Sequence, residues 1–294
     1  MPRLFIVANT EKPQVAQALE ALKPWLKDHA ELTGVETDYT HDLRNVDADV
    51  ILILGGDGTL LSVARRLNGR QIPLMGVNFG RLGFLSSFTP GNFREYLQRY
   101  LSDGLPVKPR QMLEASVVPC GIDFQGDCAD LPQRRRFVAT ALNDAVVTAG
   151  PPFHMVELEV AADMEAGVRY FGDGLIVSTA SGSTAYNVSA GGPIISPHVE
   201  AFCITPICPH SLSFRPVVLS SQSTIRIGAV RVNEGTTLFC DGQASTQLVA
   251  GDRVVIRRSS SDVLLIENPE SRQWRSLAEK LNWAVSPKYA EGTA

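Results

Sequence analysis

The sequence predicts an α/β fold followed by a β-rich one, and three observations carry that expectation. Short apolar runs alternate with amphipathic helical stretches through the first hundred residues. From about Lys108 a period-two pattern of β-branched residues takes over, broken by Gly, Pro and Asp. Within the first of these regions an apolar run, VILIL at 50–54, leads directly into the glycine-rich GGDGT at 55–59. Strand, helix, strand in alternation is the rhythm of a parallel sheet with crossover helices, whereas alternation without helices belongs to antiparallel sheets.

Taken in order, residues 4–8 read as a buried strand, 13–29 as an amphipathic helix, 50–54 as a second buried strand, a helix follows from Leu60, and 72–77 form a third strand. Farther on, VELEV at 156–160 alternates apolar with charged residues, as a half-buried strand does. After the turn-forming ENPES at 267–271, Trp274, Leu277, Ala278 and Leu281 recur at helical spacing. This predicts a closing helix that returns to the first domain. The expected division is 1–107, with 270–294 packing back on it, and a β-rich domain over 108–269. The three arginines at 134–136 read as a solvated hairpin tip.

The 294 residues, 44% hydrophobic, suffice for two ordinary domains. A net charge of -4 and a pI near 5.8 argue against a broad surface for nucleic acid. No stretch approaches the roughly 18 apolar residues of a membrane span, and MPRLFIVANT enters a strand-like run without a signal-peptide pattern. A cytoplasmic protein, with no membrane contact, is the expectation. The five cysteines are odd in number and contain no Cys-x-x-Cys pair, which supports neither a disulfide framework nor a zinc site. Cys203 and Cys208 with His210 lack four-ligand spacing.

The segment 50–66 carries chemistry. A strand, a glycine turn and a helix together bind phosphate, because glycine lets the backbone approach the ligand and the helix's first amides point at the anion. Gly55, Gly56, Gly58 and Thr59 are the candidates. Asp57 in the middle of such a turn would repel phosphate unless it acts on a hydroxyl or helps hold a metal; the alternative is that it caps the next helix. The segment has neither the Lys-Ser/Thr ending of a Walker A loop nor the G-x-G-x-x-G order of a dinucleotide fingerprint. Ser181, Gly182, Ser183 and Thr184 offer space and hydroxyl donors beside the aromatic face of Tyr186, and read as a binding loop or as an ordinary surface loop.

GGDGT resembles a signature shared by NAD kinases, diacylglycerol and sphingosine kinases and, more distantly, phosphofructokinases. Four further blocks resemble bacterial NAD kinases in the same order: GVNFGRLGFL at 76–85, Asn143-Asp144, GDGLIVSTASGSTAYNVSAGGP at 172–193, and PICPHSLSFRP at 206–216 with Asp241-Gly242-Gln243 beyond. The likeness runs from about residue 50 to 245, and lipid kinases do not carry the GSTAY run.

The resemblance implies transfer of a γ-phosphoryl group from ATP, or from another donor such as inorganic polyphosphate, to the 2′-hydroxyl of NAD's adenosine ribose, with Mg²⁺ or another divalent cation. It implies Asp57 as the base and Gly58 beside the substrate, with the triphosphate over the glycine turn, whose backbone amides are the only obvious donors. Asn143 and Asp144 would hold ribose hydroxyls or the nicotinamide half, and Asp173 another polar edge of NAD. Thr184, Ala185, Tyr186, Asn187, Val188 and Ser189 would line the adenosine, and Gln243 would complete the pocket. His154 falls at a polar contact or has a structural role. The family forms dimers or tetramers, so a homo-oligomer sharing the NAD pocket is implied, with 206–215 either at its interface or simply a tight turn.

Three departures stand out: Asp144 replaces the family's Glu, Ala180 replaces a proline, and Phe171 occupies a position where some bacterial members have a basic side chain. The contact of that basic residue is not carried over. Two other readings remain at this point, a lipid kinase sharing GGDGT and a catalytically silent NAD(P)-binding sensor.

Overall fold

A computed structural model describes residues 1–80, 83–119, 134–211, 213–271, 277, 278, 280 and 281. The chain begins with β1 (Arg3–Ala8), helix α1 (Pro13–Leu26), β2 (Glu31–Glu36), β3 (Val50–Gly55), helix α2 (Asp57–Arg66) and β4 (Leu74–Asn78). These four strands are parallel in the order β2-β1-β3-β4. Because strand side chains alternate, each central strand serves two cores. Leu4, Ile6, Leu52 and Leu54 face Val15, Leu19, Leu22 and Leu26 of α1, while Phe5, Val7, Ile51 and Ile53 face Leu60, Val63 and Ala64 of α2. The two helices therefore cover opposite faces of the sheet.

Helix α1 stops at Leu26, short of the expected 29. The ring of His29 stacks on Trp25 at 4.0 Å and its Nδ1 meets the Trp25 carbonyl at 2.8 Å, an oxygen that also accepts from Asp28 N at 3.4 Å. Helix α2 begins at Asp57, three residues earlier than the apolar pattern indicates, because Gly56 is fully extended and serves as the cap. Asp57 thus sits in the helix's first turn, where the dipole favours a carboxylate.

Helix α3 (Phe93–Asp103) packs Phe93, Tyr96 and Leu97 on the α1 face, and β5 (Val107–Arg110) follows. Two antiparallel sheets come next. One contains β6 (Leu113–Val118), β7 (Phe137–Ala141), β9 (Val156–Ala162), β10 (Val168–Gly172), β14 (Ile225–Arg231) and β17 (Arg253–Arg258). The other contains β8 (Asp144–Thr148), β11 (Gly174–Thr179), β12 (Ala201–Ile207), β13 (Val217–Ser220), β15 (Thr237–Cys240) and β16 (Ala244–Gln247); a short helix α4 (Tyr186–Ser189) follows β11. One core joins their inner faces, with Leu158, Tyr170, Ile227 and Val254 from the first and Val147, Val177, Phe202 and Leu238 from the second.

The last strand, β18 (Val263–Ile266), returns to the first sheet, parallel to β4 and antiparallel to β5. It comes from inside the stretch 108–269 that the sequence pattern assigns to the second domain, as do Lys108–Arg110 of β5, so the parallel sheet is completed by distant chain. Trp274 lies outside the described residues; Leu277 is buried. The arginines at 134–136 are not merely solvated. Arg135 pairs with Glu114 at 2.8 Å, and Arg136 meets Asp252 at 2.6 Å and Thr246 at 2.8 Å. Phe214 packs on Tyr170, which draws that part of 206–215 against the sandwich core. No helix among the described residues is long and apolar enough to cross a membrane.

Leu52 is fully buried in the middle of the central strand. Leu52→Ala should lower unfolding free energy by about 2–5 kcal/mol in a denaturant titration, because the cavity cannot close between sheet and helix.

Candidate active site

The glycine turn is shaped by contacts a side chain would forbid. A Cβ on Gly55 would fall 2.4 Å from Thr59 Oγ1, so glycine is needed for the close turn into α2. A Cβ on Gly58 would meet nothing within 4 Å, and Gly58 is exposed: this is open room at a helix N-terminus. Beside the turn lies a cavity of about 490 Å³ lined by Asn9, Lys12, Tyr39, Gly56, Thr59 and Gln243, among others. Gln243 reaches across from the second sheet pair, donating from Nε2 to the Gly58 carbonyl at 2.8 Å.

Asp57 is anchored from outside its own helix. One carboxylate oxygen accepts from Phe84 N at 2.8 Å and Leu85 N at 3.3 Å, the other from Ser86 N at 3.0 Å. A carboxylate has about four acceptor positions, so roughly one remains for a ligand hydroxyl. Gly83 lies so close that a Cβ there would fall 2.0 Å from Asp57 Oδ2. These contacts explain why GGDGT and GRLGFL occur together: the second segment holds the carboxylate of the first.

A second carboxylate repeats the device. Asp241 accepts from Leu142 N at 2.8 Å on one oxygen, and from Asn143 N at 2.8 Å and Asp144 N at 3.1 Å on the other. Asp144 itself is buried, facing Asp241. Burial first, and the neighbouring Asp241 charge second, push the Asp144 carboxyl up to about 7. Burial also pushes Asp241 upward, against the three amides and Arg65. Since hydrogen bonds to the charged form favour it, and the three amides point at Asp241, a proton on this pair resides preferentially on Asp144. Both border a cavity of about 360 Å³ with Asn143, Thr148, Ala185 and Tyr186.

The loop after β11 is fastened to the same place. Thr179 Oγ1 donates to the Leu142 carbonyl at 2.6 Å and accepts from Gly182 N at 3.1 Å; a Cβ on Gly182 would fall 2.1 Å from the Asn143 carbonyl oxygen. This close packing sets Thr184, Ala185 and Tyr186 beside Asn143 and Asp144. Thr184 also borders a separate cavity of about 170 Å³ with Phe84 and Ser181.

Comparison with known proteins identifies the family. Residues 10–105 match the ATP-NAD kinase N-terminal domain and residues 142–268 the ATP-NAD kinase C-terminal domain. The chain belongs to the NAD kinase family. It is 34% identical over 283 residues to the NAD kinase of Rhodopirellula baltica, covering 96% of this chain and 87% of that one. It is 37% identical over 293 residues to the NAD kinase of Desulforamulus reducens, covering 96% and 97%. Among solved structures, an NAD kinase from Archaeoglobus fulgidus in complex with ATP matches with a TM-score of 0.75 at 28% identity over 95% of this chain and 98% of that one. A yeast NADH kinase complexed with NADH shares the fold, with a TM-score of 0.86 at 24% identity over 99% and 90%. As an NAD kinase, the chain is an enzyme that phosphorylates NAD with ATP.

Not every residue expected at the NAD kinase site gathers in one place. Asp57, Gly58, Asn143, Asp144, Thr184, Ala185, Tyr186 and Gln243 cluster around the junction of the two sheet systems. Asn187 does not face open space: its amide donates to the Ser183 and Pro193 carbonyls at 3.1 and 3.0 Å and accepts from Thr205 at 2.6 Å, so it shapes the loop from within. Val188 is half-buried and Ser189 exposed on the same turn. Asp173 and His154 stand elsewhere. Gly174 pairs with Thr148 and Ser178 with Asp144, which places Asp173 about 13 Å or more along the sheet from Asp144 at ~3.3 Å per residue. His154 is exposed, near that far end. Asp241, Lys12 and Asn9 stand out by no motif role in the sequence; the DGQ block is a signal for the first, and the others carry none.

Two outcomes test this geometry. Gly83→Ala should cut turnover about a hundred-fold or more while leaving the melting temperature within a few degrees, since the methyl displaces the Asp57 carboxylate. For Asp144, the folded protein binds more protons than the unfolded chain between about pH 4 and 7, so stability falls as pH rises through that window. Asp144→Asn should flatten that fall, an effect of about 3 kcal/mol at most at about 1.4 kcal/mol per pH unit, read from urea unfolding at pH 5 and pH 8.

Proposed function

We propose that phosphoryl transfer is direct and in line, with Asp57 receiving the proton of the NAD 2′-hydroxyl as that oxygen attacks the γ-phosphorus and the bond to the β-phosphate oxygen breaks. The observation that carries this reading is the Asp57 carboxylate itself, immobilised by three amides with one acceptor position left, at the mouth of a helix N-terminus with open space over Gly58. The transition state of phosphoryl transfer is loose and the hydroxyl proton leaves late, so a fixed carboxylate contributes mainly by orienting the nucleophile. Asn143 and Asp144 then hold ribose hydroxyls, Asp144 donating when protonated and accepting when charged, and the Asn143 amide donating or accepting. Tyr186, about half exposed, offers its ring to a base or nicotinamide.

A divalent cation is consistent with this chemistry. Among the described residues no group of three or more His, Cys, Asp or Glu could hold a metal, and Asp57 is largely engaged by amides. The cation would therefore be carried by the triphosphate's own oxygens, and the chain's residues act on the phosphates and the ribose.

The positions of Asp173 and His154 support a homo-oligomer in which a neighbouring copy brings that far end to the NAD pocket. Phe153, Met155, Val168 and Phe171 leave exposed apolar surface around it, which a protein neighbour would cover. Reduced thiols, with Cys203 and Cys240 buried and unpaired, fit a cytoplasmic enzyme.

Purified protein should form NADP from NAD, ATP and Mg²⁺, measured with an NADP-specific dehydrogenase. Asp57→Asn should lower kcat by about a hundred to ten thousand-fold with little change in NAD affinity; a near-normal rate would remove Asp57 from the role of base. Mixing inactive Asp57→Asn with an impaired Asp173→Asn variant, after dissociation and reassembly, should restore part of the activity. No recovery would mean that each copy builds its site alone.

A further inference from the structure

Backbone amides are the obvious donors of the glycine turn in the sequence, yet the first sheet brings a side-chain cation to the same place. In open α/β sheets ligands bind beyond the carboxyl ends of the strands, at the point where successive connections leave for opposite sides. Here that point lies between β1 and β3. From β1 the chain crosses by α1 on one face to β2; from β3 it crosses by α2 on the other face to β4. The loops leaving β1 and β3 are tied together, Asn9 N donating to the Leu54 carbonyl at 2.9 Å, and Lys12 N donates back to Asn9 O at 3.2 Å.

That geometry swings Lys12 over the glycine turn. A Cβ on Gly56 would lie 3.7 Å from Lys12 Nζ, and one on Gly80 3.6 Å from it. Lys12 is also the N-cap of α1, makes no capping hydrogen bond, and is followed by Pro13. A cation at that position opposes the helix dipole and forgoes the oxygen that caps usually supply, so local stability does not account for it. No carboxylate among the described residues lies within ion-pair distance of Nζ, and the nearby Asp57 is turned to the amides of 84–86. Two helix N-termini and an uncompensated ammonium thus converge on the cavity beside Gly56.

We infer that Lys12 is a catalytic residue, binding the terminal phosphates of the nucleotide donor and stabilising negative charge on the γ-phosphoryl oxygens as it moves to the ribose. It forms no bond to phosphorus; the electron pair of the breaking bond leaves with ADP and the proton goes to Asp57. This rests on the donor lying over the glycine turn, as proposed above.

The test uses the full-length enzyme with Lys12→Ala, Lys12→Arg and Gly56→Ala. The last adds a methyl to an extended residue with only ordinary contacts around it, yet places that methyl where a phosphate would sit. Lys12→Ala should lower kcat/KM for ATP about a hundred-fold and flatten its dependence on ionic strength, while the NAD dissociation constant by calorimetry stays within about two-fold of wild type; Lys12→Arg should recover most of the loss. Unchanged kcat/KM for ATP in Lys12→Ala, with Gly56→Ala impaired, would overturn the role of Lys12 and leave the donor site standing. Both variants unimpaired would overturn both. A loss matched by equal weakening of NAD binding, or not recovered by arginine, would mean that Lys12 supports the fold rather than the phosphates.

Discussion

A carboxylate that accepts three consecutive backbone N–H groups from a distant loop is the interaction on which the rest of this enzyme's site depends. It occurs twice: Asp57 takes the amides of 84–86, and Asp241 those of 142–144. Backbone donors turned inward at loops must find partners or lose about 1–3 kcal/mol each. A carboxylate satisfies several at once and fixes the loop's shape. In the first case the reactive group is itself immobilised; in the second the carboxylate immobilises its neighbours, Asn143 and Asp144.

The two clamps are connected. Two residues beyond Asp241, Gln243 holds the Gly58 carbonyl, so one hairpin turn grips both the start of β8 and the glycine turn. Asp241 and Gly242 both adopt positive φ, 51° and 64°, which brings this turn around tightly. Loss of strictness in that turn would be felt in the alignment of hydroxyl and phosphate, where a fraction of an ångström changes rate.

Electrostatics divides the site into two regions. Around Gly56 the helix N-termini and Lys12 provide positive potential for a polyanion. Around Asp144 burial and a neighbouring carboxylate hold a carboxyl well above its usual range. Asp57 is neutralised in part by its three amide donors.

Much of this was legible in the chain. Period-two and helical patterning determined the α/β and β-rich halves, since burial of alternate or every-third-or-fourth residues is a local property. GGDGT after an apolar strand determined a tight turn into a helix, because Gly55 is required by local close approach. What patterning could not reach was every contact between distant segments. The return of β18 to the first sheet, the capture of Asp57 by 84–86, the inward turn of Asn187 and the placing of Lys12 beside Gly56 each join residues through packing and hydrogen bonds that carry no periodic signal. Asp173 shows the converse limit. Its motif placed it with the NAD site, yet strand rise alone separates it from Asp144 within one chain, so sequence determined the list of polar groups while tertiary structure decided which of them meet.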